Sequence, residues 1–396
     1  MLPLLMVPYC LNLLLGAVGA KLMNEYKAWT KYKIVGFKQG LTLRQGQEVI
    51  ETYGIKIKRS LPLANACLCE VDEGEASIKS LAMDPTIEFI EDDLEGEIQV
   101  VPFLAADIRR KNQEIPWGVQ KIGAPSVWKD VMGEGIKVGI IDTGVDINHP
   151  DLKDNVKEVG SVMDCKNIID DNGHGSHVAG IIAALDNNIG VVGVAPRVDL
   201  YPVKAFDKSG RGNISNVIDA LGWCVEKKVQ VVNMSFGFAK NSMALERAIK
   251  EAYRQNIVLV AAAGNSGGDD SVMYPAKYPE VIAVAASNSA NKAAWFSSGG
   301  PEVDVIAPGV SIPSTYKEGG YKSMSGTSMA SPHVTAACAL VLTKTNMNPA
   351  KVKEVLTSSA IDIGIPKNKQ GEGLVNVYRA TISIKNDRKN SENHLF

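Results

Sequence analysis

Three strings in this chain set a reactive side chain among glycines. Val138-Gly-Ile-Ile-Asp142-Thr-Gly144 ends an apolar run on a carboxylate and a tight turn. Asn172-Gly-His174-Gly-Ser-His177-Val-Ala-Gly180 sets an imidazole at the head of a helical pattern, and Ser325-Gly-Thr-Ser328-Met-Ala-Ser-Pro-His333 does the same for a hydroxyl. A serine hydroxyl is a weak nucleophile at neutral pH. It needs a base to take its proton, and a buried carboxylate to hold that base in one tautomer. Asp142, His174 and Ser328 supply orienter, base and nucleophile. A fourth string, Ala261-Ala-Ala-Gly264-Asn265-Ser266, ends an apolar run on a side-chain amide. With the Ser328 N–H, the Asn265 amide makes a two-donor oxyanion hole.

Other chemistries fit less well. Asp142-Thr-Gly144 is also the string of aspartic proteases, but those need two carboxylates sharing a proton, and the chain has one such string. Gly326-Thr-Ser-Met-Ala330 approaches the nucleophile elbow of α/β-hydrolases, whose order is Ser, Asp, His, not the Asp, His, Ser of this chain. His174-x-x-His177 lacks the glutamate of a zinc protease.

These side chains must be held by rigid elements. Between 113 and 383 apolar runs without alternation recur at Val138–Ile141, Val229–Asn233, Ile257–Ala263, Val281–Ala286 and Val303–Ile306. Runs apolar on both faces suit a parallel sheet covered on both sides. Helical patterns lie between them, at Ile214–Lys227, Ala244–Arg254, Met329–Lys344 and Ala350–Ser358, the last opened by Asn348-Pro349 as cap and first residue. The alternation predicts a three-layer α/β sandwich with a mostly parallel sheet, whose ligands sit at the carboxyl ends of the strands. Residues 31–93 read differently. Their order β-α-β-β-α-β is that of a small ferredoxin-like α+β unit, with Gly54 as a helix stop. Residues 94–112 read as a linker with an acidic start, an apolar patch and a basic run at Arg109-Arg-Lys111, and 384–396 as a polar tail.

Charge gives no argument for a nucleic-acid partner, since 42 Lys and Arg balance 44 Asp and Glu to a net −2. The six cysteines are widely spaced with no C-x-x-C, which is not a disulfide framework. Cys67, Cys69 and Val71 alternate as small apolar residues on one strand face, and Cys224 and Cys338 fall on apolar helix faces. His149 and His333 flank prolines and read as packing residues, and His394 as solvated. Residues 1–20 carry no charged side chain and end Ala17-Val-Gly-Ala20, like a signal peptide without its basic start. No later segment reaches the length of a membrane span.

Taken together, Asp142-Thr-Gly, His174-Gly-Ser-His-Val-Ala-Gly, Ala263-Gly-Asn265 and Gly326-Thr-Ser328-Met-Ala-Ser-Pro-His resemble the signature blocks of the subtilisin family of serine endopeptidases, in that family's order. The resemblance covers about 113–383, and 31–93 is similar to the family's inhibitory propeptide. It implies a serine endopeptidase acting on peptides and proteins through an acyl-enzyme. It implies Ser328 as nucleophile, His174 as base, Asp142 as orienter and Asn265 as oxyanion donor, with His177 packing nearby. Ser235-Phe236-Gly237 and Gly210-Arg211-Gly212 would pair with an extended peptide, Gly264 would also bind substrate, and Met273 would lie near the base of the primary specificity pocket. A Ca²⁺ site would use Gln113, Asp151 and Asn187 with the backbone oxygens of Leu185, Ile189 and Val191. A weaker second one would use Ala276, Tyr278, Val281 and Asp304. The propeptide would act as intramolecular inhibitor and folding aid, cut off by the enzyme itself near Glu97 or close to Asn112. Such a precursor is expected to be secreted or held in the cell envelope, the three thiols Cys165, Cys224 and Cys338 favouring the cytoplasm instead. The alternative to an enzyme is an inactive subtilisin-like binding or regulatory module.

Overall fold

A computed structural model describes residues 31–72, 76–101, 106–107, 112–163 and 168–384. The candidate signal peptide, Cys165, the basic run 109–111, His394 and the polar tail from 385 lie outside them.

The N-terminal unit runs β1 (Tyr32–Phe37), α1 (Leu43–Thr52), β2 (Lys56–Leu61), β3 (Ala66–Glu70), α2 (Ala76–Leu81) and β4 (Ile87–Asp92). Its four-stranded antiparallel sheet has the order β2-β3-β1-β4, the ferredoxin-like arrangement. Thr42 opens α1 with a capping box, its side chain accepting from Gln45 N while Gln45 answers the Thr42 N–H. Alternation along the strands sends Val35, Phe37, Cys67, Cys69 and Val71 toward the two helices. Ile34, Leu61, Leu68 and Phe89 point the other way, into an apolar cluster shared with the larger body.

Residues 94–112 are more than a linker. Glu95–Ile98 form strand β5, and Ala106–Asp107 a short strand β6.

In the body, α3 (Trp117–Lys121) precedes β7 (Lys137–Asp142), β8 (Gly160–Ser161), α4 (His174–Ala183), β9 (Asp199–Lys204), β10 (Arg211–Asn213) and α5 (Ile214–Glu226). Then come β11 (Val231–Met234), β12 (Phe236–Gly237), α6 (Met243–Arg254), β13 (Val258–Ala262), β14 (Val281–Ser287) and β15 (Val305–Pro308). The hairpin β16 (Ile312–Tyr316) and β17 (Gly320–Met324) leads to α7 (Thr327–Lys344), α8 (Pro349–Ser358) and α9 (Lys367–Gln370). Seven strands form one parallel sheet in the order β15-β14-β13-β11-β7-β9-β8. Successive residues of the central strands enter opposite cores. Val258 and Val260 pack in one cluster with residues of α4 and α7, and Leu259 and Ala261 in the other with α5 and α6. These are the three layers that the unalternating apolar runs require.

Candidate active site

Asp142 is the last residue of β7 and His174 the first of α4, and both are buried. The imidazole Nδ1 lies 2.7 Å from Asp142 Oδ1, and Thr143 N donates to the same oxygen at 2.7 Å. This pins the tautomer with Nδ1–H toward the carboxylate and leaves Nε2 free to act as base. His174 Nε2 is buried and, among the described residues, has no hydrogen-bond partner.

Two buried charges clamp the residue next to Asp142. Asp170 accepts from Thr143 Oγ1 at 2.8 Å, from the N–H groups of Asn172, Gly173 and Ser176, and from Ser176 Oγ. Lys204 donates to the Thr143 carbonyl and to Asp171 Oδ1, each at 2.7 Å. Thr143 Oγ1 in turn accepts the Gly175 N–H at 3.0 Å, tying the end of β7 to the first turn of α4. Sequence reasoning missed Asp170 and Lys204. The signal for Asp170 was present, because Asp-x-Asn-Gly ahead of a helix is turn chemistry in which a carboxylate takes backbone N–H groups two and three residues on. Lys204 shows only through the parallel register that sets it beside Asp142.

Ser328 sits in the first turn of α7, a helix buried from Thr327 to Val341. Its hydroxyl donates to the Ser235 carbonyl at 2.8 Å. Beneath it, Ser235 Oγ is held by Asn233 Nδ2 and Ser331, both at 2.8 Å, and Asn233 Oδ1 accepts from Thr335 at 2.9 Å. Asn265 follows β13. Its Oδ1 accepts from Thr327 N at 2.9 Å and Thr327 Oγ1 at 3.0 Å, which leaves the buried Nδ2 unpartnered and aimed away from Thr327.

What lies against these groups is the chain itself. Strand β5 runs antiparallel between β10 and β12, pairing Gly96 with Gly212, Glu97 with Arg211 and Gly237, and Ile98 with Phe236. Ile98 N donates to Gly210 O at 3.0 Å, and Gln99 N to Ser235 O at 3.2 Å. The Ser328 N–H donates to the Gln99 carbonyl at 3.2 Å, and Gln99 N also reaches Ser328 Oγ at 3.0 Å. A Cβ at Gly326 would lie 2.4 Å from Gln99 O and 3.3 Å from Asn265 Nδ2, so both converge over that glycine. Past Gln99, Val101 N donates to Ser325 O at 2.8 Å. The two edges expected to flank a peptide lie on either side of β5. Met273 fills the space between Gly237 and Gly264, its Sδ and Cγ each 2.8 Å from a Cβ built on those glycines.

The family comparison agrees with this geometry. A model of the subtilase family matches residues 133–380. The chain belongs to the subtilase family. It is a serine endopeptidase with Asp-His-Ser chemistry. The subtilase is 41% identical over 373 residues to subtilisin E of Bacillus subtilis, covering 92% of this chain and 93% of that protein. It is 46% identical over 273 residues to subtilisin DY of Bacillus licheniformis, covering 68% of this chain and 99% of that one. Subtilisin J of Geobacillus stearothermophilus is 40% identical over 360 residues, 88% of this chain and 90% of its own.

The other described histidines of the subtilase have packing roles. His177 Nε2 lies 3.0 Å from the carbonyls of Ile312 and Lys322, and burial pushes its pKa down to about 3. His333 Nδ1 lies 2.8 Å from Met329 O, and burial pushes it down to about 4. His149 links Asp151 N to Gly320 O. Cys67, Cys69, Cys224 and Cys338 are buried, and burial raises every one of these thiols.

The two expected cation sites differ. Around Asp151 the six residues meet. Gln113 Nε2 donates to Leu185 O at 2.7 Å, Val191 O lies 3.5 Å from the same nitrogen, and Asn187 Nδ2 donates to Asp151 Oδ1 at 3.0 Å. Gly190 permits this closure: it has φ +59, and a Cβ there would fall 2.1 Å from Asp151 Oδ2. The second set is a correction. Lys353 Nζ lies 2.8 Å from Asp304 Oδ2 and donates to Val281 O at 3.0 Å and Pro279 O at 3.3 Å. An ammonium already serves those oxygens, so Ala276, Tyr278, Val281 and Asp304 do not fit a metal.

Proposed function

We propose that this subtilase is made as a precursor whose N-terminal unit inhibits the peptidase body, and that the enzyme frees itself by cutting between Gln99 and Val100. The observation that carries this is the Gln99 backbone, held between Ser235 O and Ser328 N with β5 stacked as a substrate strand. The expected joints near Glu97 and Asn112 bracket this bond without naming it. Ser328 must first turn its hydroxyl from Ser235 O to His174 Nε2, a tightening that resting sites commonly need. His174 then takes the proton as Oγ bonds to the Gln99 carbonyl carbon. Ser328 N–H and Asn265 Nδ2 hold the oxyanion, and Asp142 holds the imidazolium. The C–N bond breaks as His174 passes its proton to the Val100 nitrogen. Water, deprotonated by the same imidazole, then releases Gln99 from Ser328. In the mature enzyme, peptide and protein substrates take the place of β5.

Ca²⁺ belongs to the same reading. Asp151, Gln113, Asn187 and the carbonyls of Leu185, Ile189 and Val191 are hard oxygen donors suited to it, once the Gln113 and Asn187 amides turn their oxygens inward. A cation held there would tie the segment after the linker to the loop after α4. The apolar 1–20 segment supports export, and no described helix is long and apolar enough to cross a membrane.

Expressed alone, the wild type should yield an N-terminus at Val100, while Ser328→Ala should stay intact, its rate lower by about 10⁴-fold or more. A Ser328→Ala chain that matures without another protease overturns self-cleavage. Fluorophosphonate labelling at Ser328 separates an enzyme from an inactive module. Chelation should remove about 2.7 kcal/mol of stability if calcium was at 100 times its Kd, several degrees in Tm. An unchanged Tm removes the metal.

A further inference from the structure

We propose that Phe238 closes the subsite beneath the fourth residue before the scissile bond, so that this subtilase selects peptides with glycine there. The inference rests on the reading of β5 as a bound substrate strand. Counting back from Gln99, that fourth residue is Gly96. It is buried, whereas its neighbours Glu95 and Glu97 are exposed, so position 96 faces the body.

The space under Gly96 is already filled. A Cβ built there would lie 2.5 and 2.6 Å from two ring carbons of Phe238 and 2.8 Å from the Gly237 carbonyl oxygen. Real Cβ atoms do not approach so closely, so either the ring or the strand must yield. The ring is poorly placed to do so. Phe238 is 1% exposed and stands edge-on to Phe236, centroids 6.0 Å apart, while Phe236 packs on Phe206 at 4.8 Å. Its backbone is tied on both sides to Tyr274, by Phe238 N to Tyr274 O at 2.8 Å and Tyr274 N to Phe238 O at 3.0 Å. Moving the strand outward is no easier, because its main chain is bonded to β10 on one side and β12 on the other. A well-packed aromatic cluster resists insertion of even one methyl group. The residue before the cut is restricted differently. Gln99 does not rely on an apolar pocket, since its Oε1 accepts the Asn265 N–H at 3.1 Å and its Nε2 donates to Glu97 O at 3.1 Å.

The test uses mature enzyme and quenched peptides copying residues 93–103, with position 96 as Gly, Ala, Leu or Phe and the cut located by mass spectrometry. We expect kcat/KM to fall from Gly to Ala and by at least about 10-fold for Leu and Phe. Phe238→Ala should raise the Leu peptide selectively. In the precursor, Gly96→Leu should slow self-cleavage and Phe238→Ala should restore it. A flat series for the wild type overturns the proposal whether or not the Phe238 variant folds, and so does a Phe238→Ala enzyme that gains equally on every peptide. Hydrolysis of the glycine peptide upholds the endopeptidase reading on its own, so the two failures are distinguishable.

Discussion

Residues 32–92 cover one face of a four-stranded sheet with two short helices, while the other face packs against the body's helices α5 and α6. The seven-stranded sheet of the body has its own helices on both faces. The body thus buries its sheet by itself, whereas the N-terminal unit completes its burial only by docking. The docking rim is charged. Glu91 accepts the N–H groups of Met243 and Ala244 at the head of α6, at 2.9 and 3.1 Å. Asp93 accepts Ser215 N at 2.8 Å in the first turn of α5, and Arg59 pairs with Asp219 at 2.6 Å. Carboxylates at helix N-termini meet unsatisfied N–H groups and the positive end of the dipole. Burial raises Asp219 to about 6 despite Arg59, and raises Asp93 too, so the rim is attractive but partly desolvated. The segment that carries Asp142, by contrast, is fixed by charges inside the body, Asp170 and Lys204, which both bond Thr143.

The largest effect should come from inside. Asp170→Asn keeps the shape but removes the charge that gathers five donors around the Thr143–Ser176 turn. It should lower kcat by about 10- to 100-fold with KM little changed, because the imidazole loses its alignment rather than the peptide its strand. Fluorophosphonate titration counts the folded sites. An unchanged kcat would mean that Asp142 and His174 need no such support.

Acid should act on the body next. His177 and His333 titrate near 6.5 when unfolded and are held down to about 3 and about 4 when folded. Below 6.5 the unfolded chain therefore binds protons that the folded chain refuses. The histidine contribution is whole above pH 6.5 and drops toward pH 4, by about 1.4 kcal/mol per pH unit for each histidine, while Asp219, raised to about 6, offsets part of that loss in the precursor. Urea midpoints of the Ser328→Ala precursor across that range should show the slope, and His177→Gln should reduce it. A slope left unchanged by His177→Gln would contradict a neutral buried imidazole at that position.

The smallest effect belongs to the rim. Glu91→Ala removes one cap and should weaken docking by about 1 kcal/mol. Hydrogen exchange should then rise in β4 and the first turn of α6, while rates on a small peptide substrate by mature enzyme stay put. Equal loosening of the body's central strands would show that the two regions are one cooperative unit.

The catalytic strings were legible because their chemistry restricts residue type locally: a strand ending in Asp-Thr-Gly, glycines beside His174, and Gly-Thr-Ser at a helix start. The sheet was legible because a strand covered on both faces has no polar side. Lys204, strand β5 and Lys353 escaped because they depend on contacts far along the chain. Strand β5 has few apolar residues of its own and is a strand only because β10 and β12 lie on either side of it. Lys353 reads as an ordinary helix-surface lysine until α8 brings it to Asp304.

Residue order by itself determined the alternation of strands and helices and singled out the candidate acid, base, alcohol and amide, since each follows from near neighbours and period. Tertiary structure alone decided which peptide bond meets Ser328, which cation site holds an ammonium, and that an aromatic ring fills the space under Gly96. Those outcomes turn on distances of a few ångströms between segments far apart in the chain, and such distances are set only once both cores have packed.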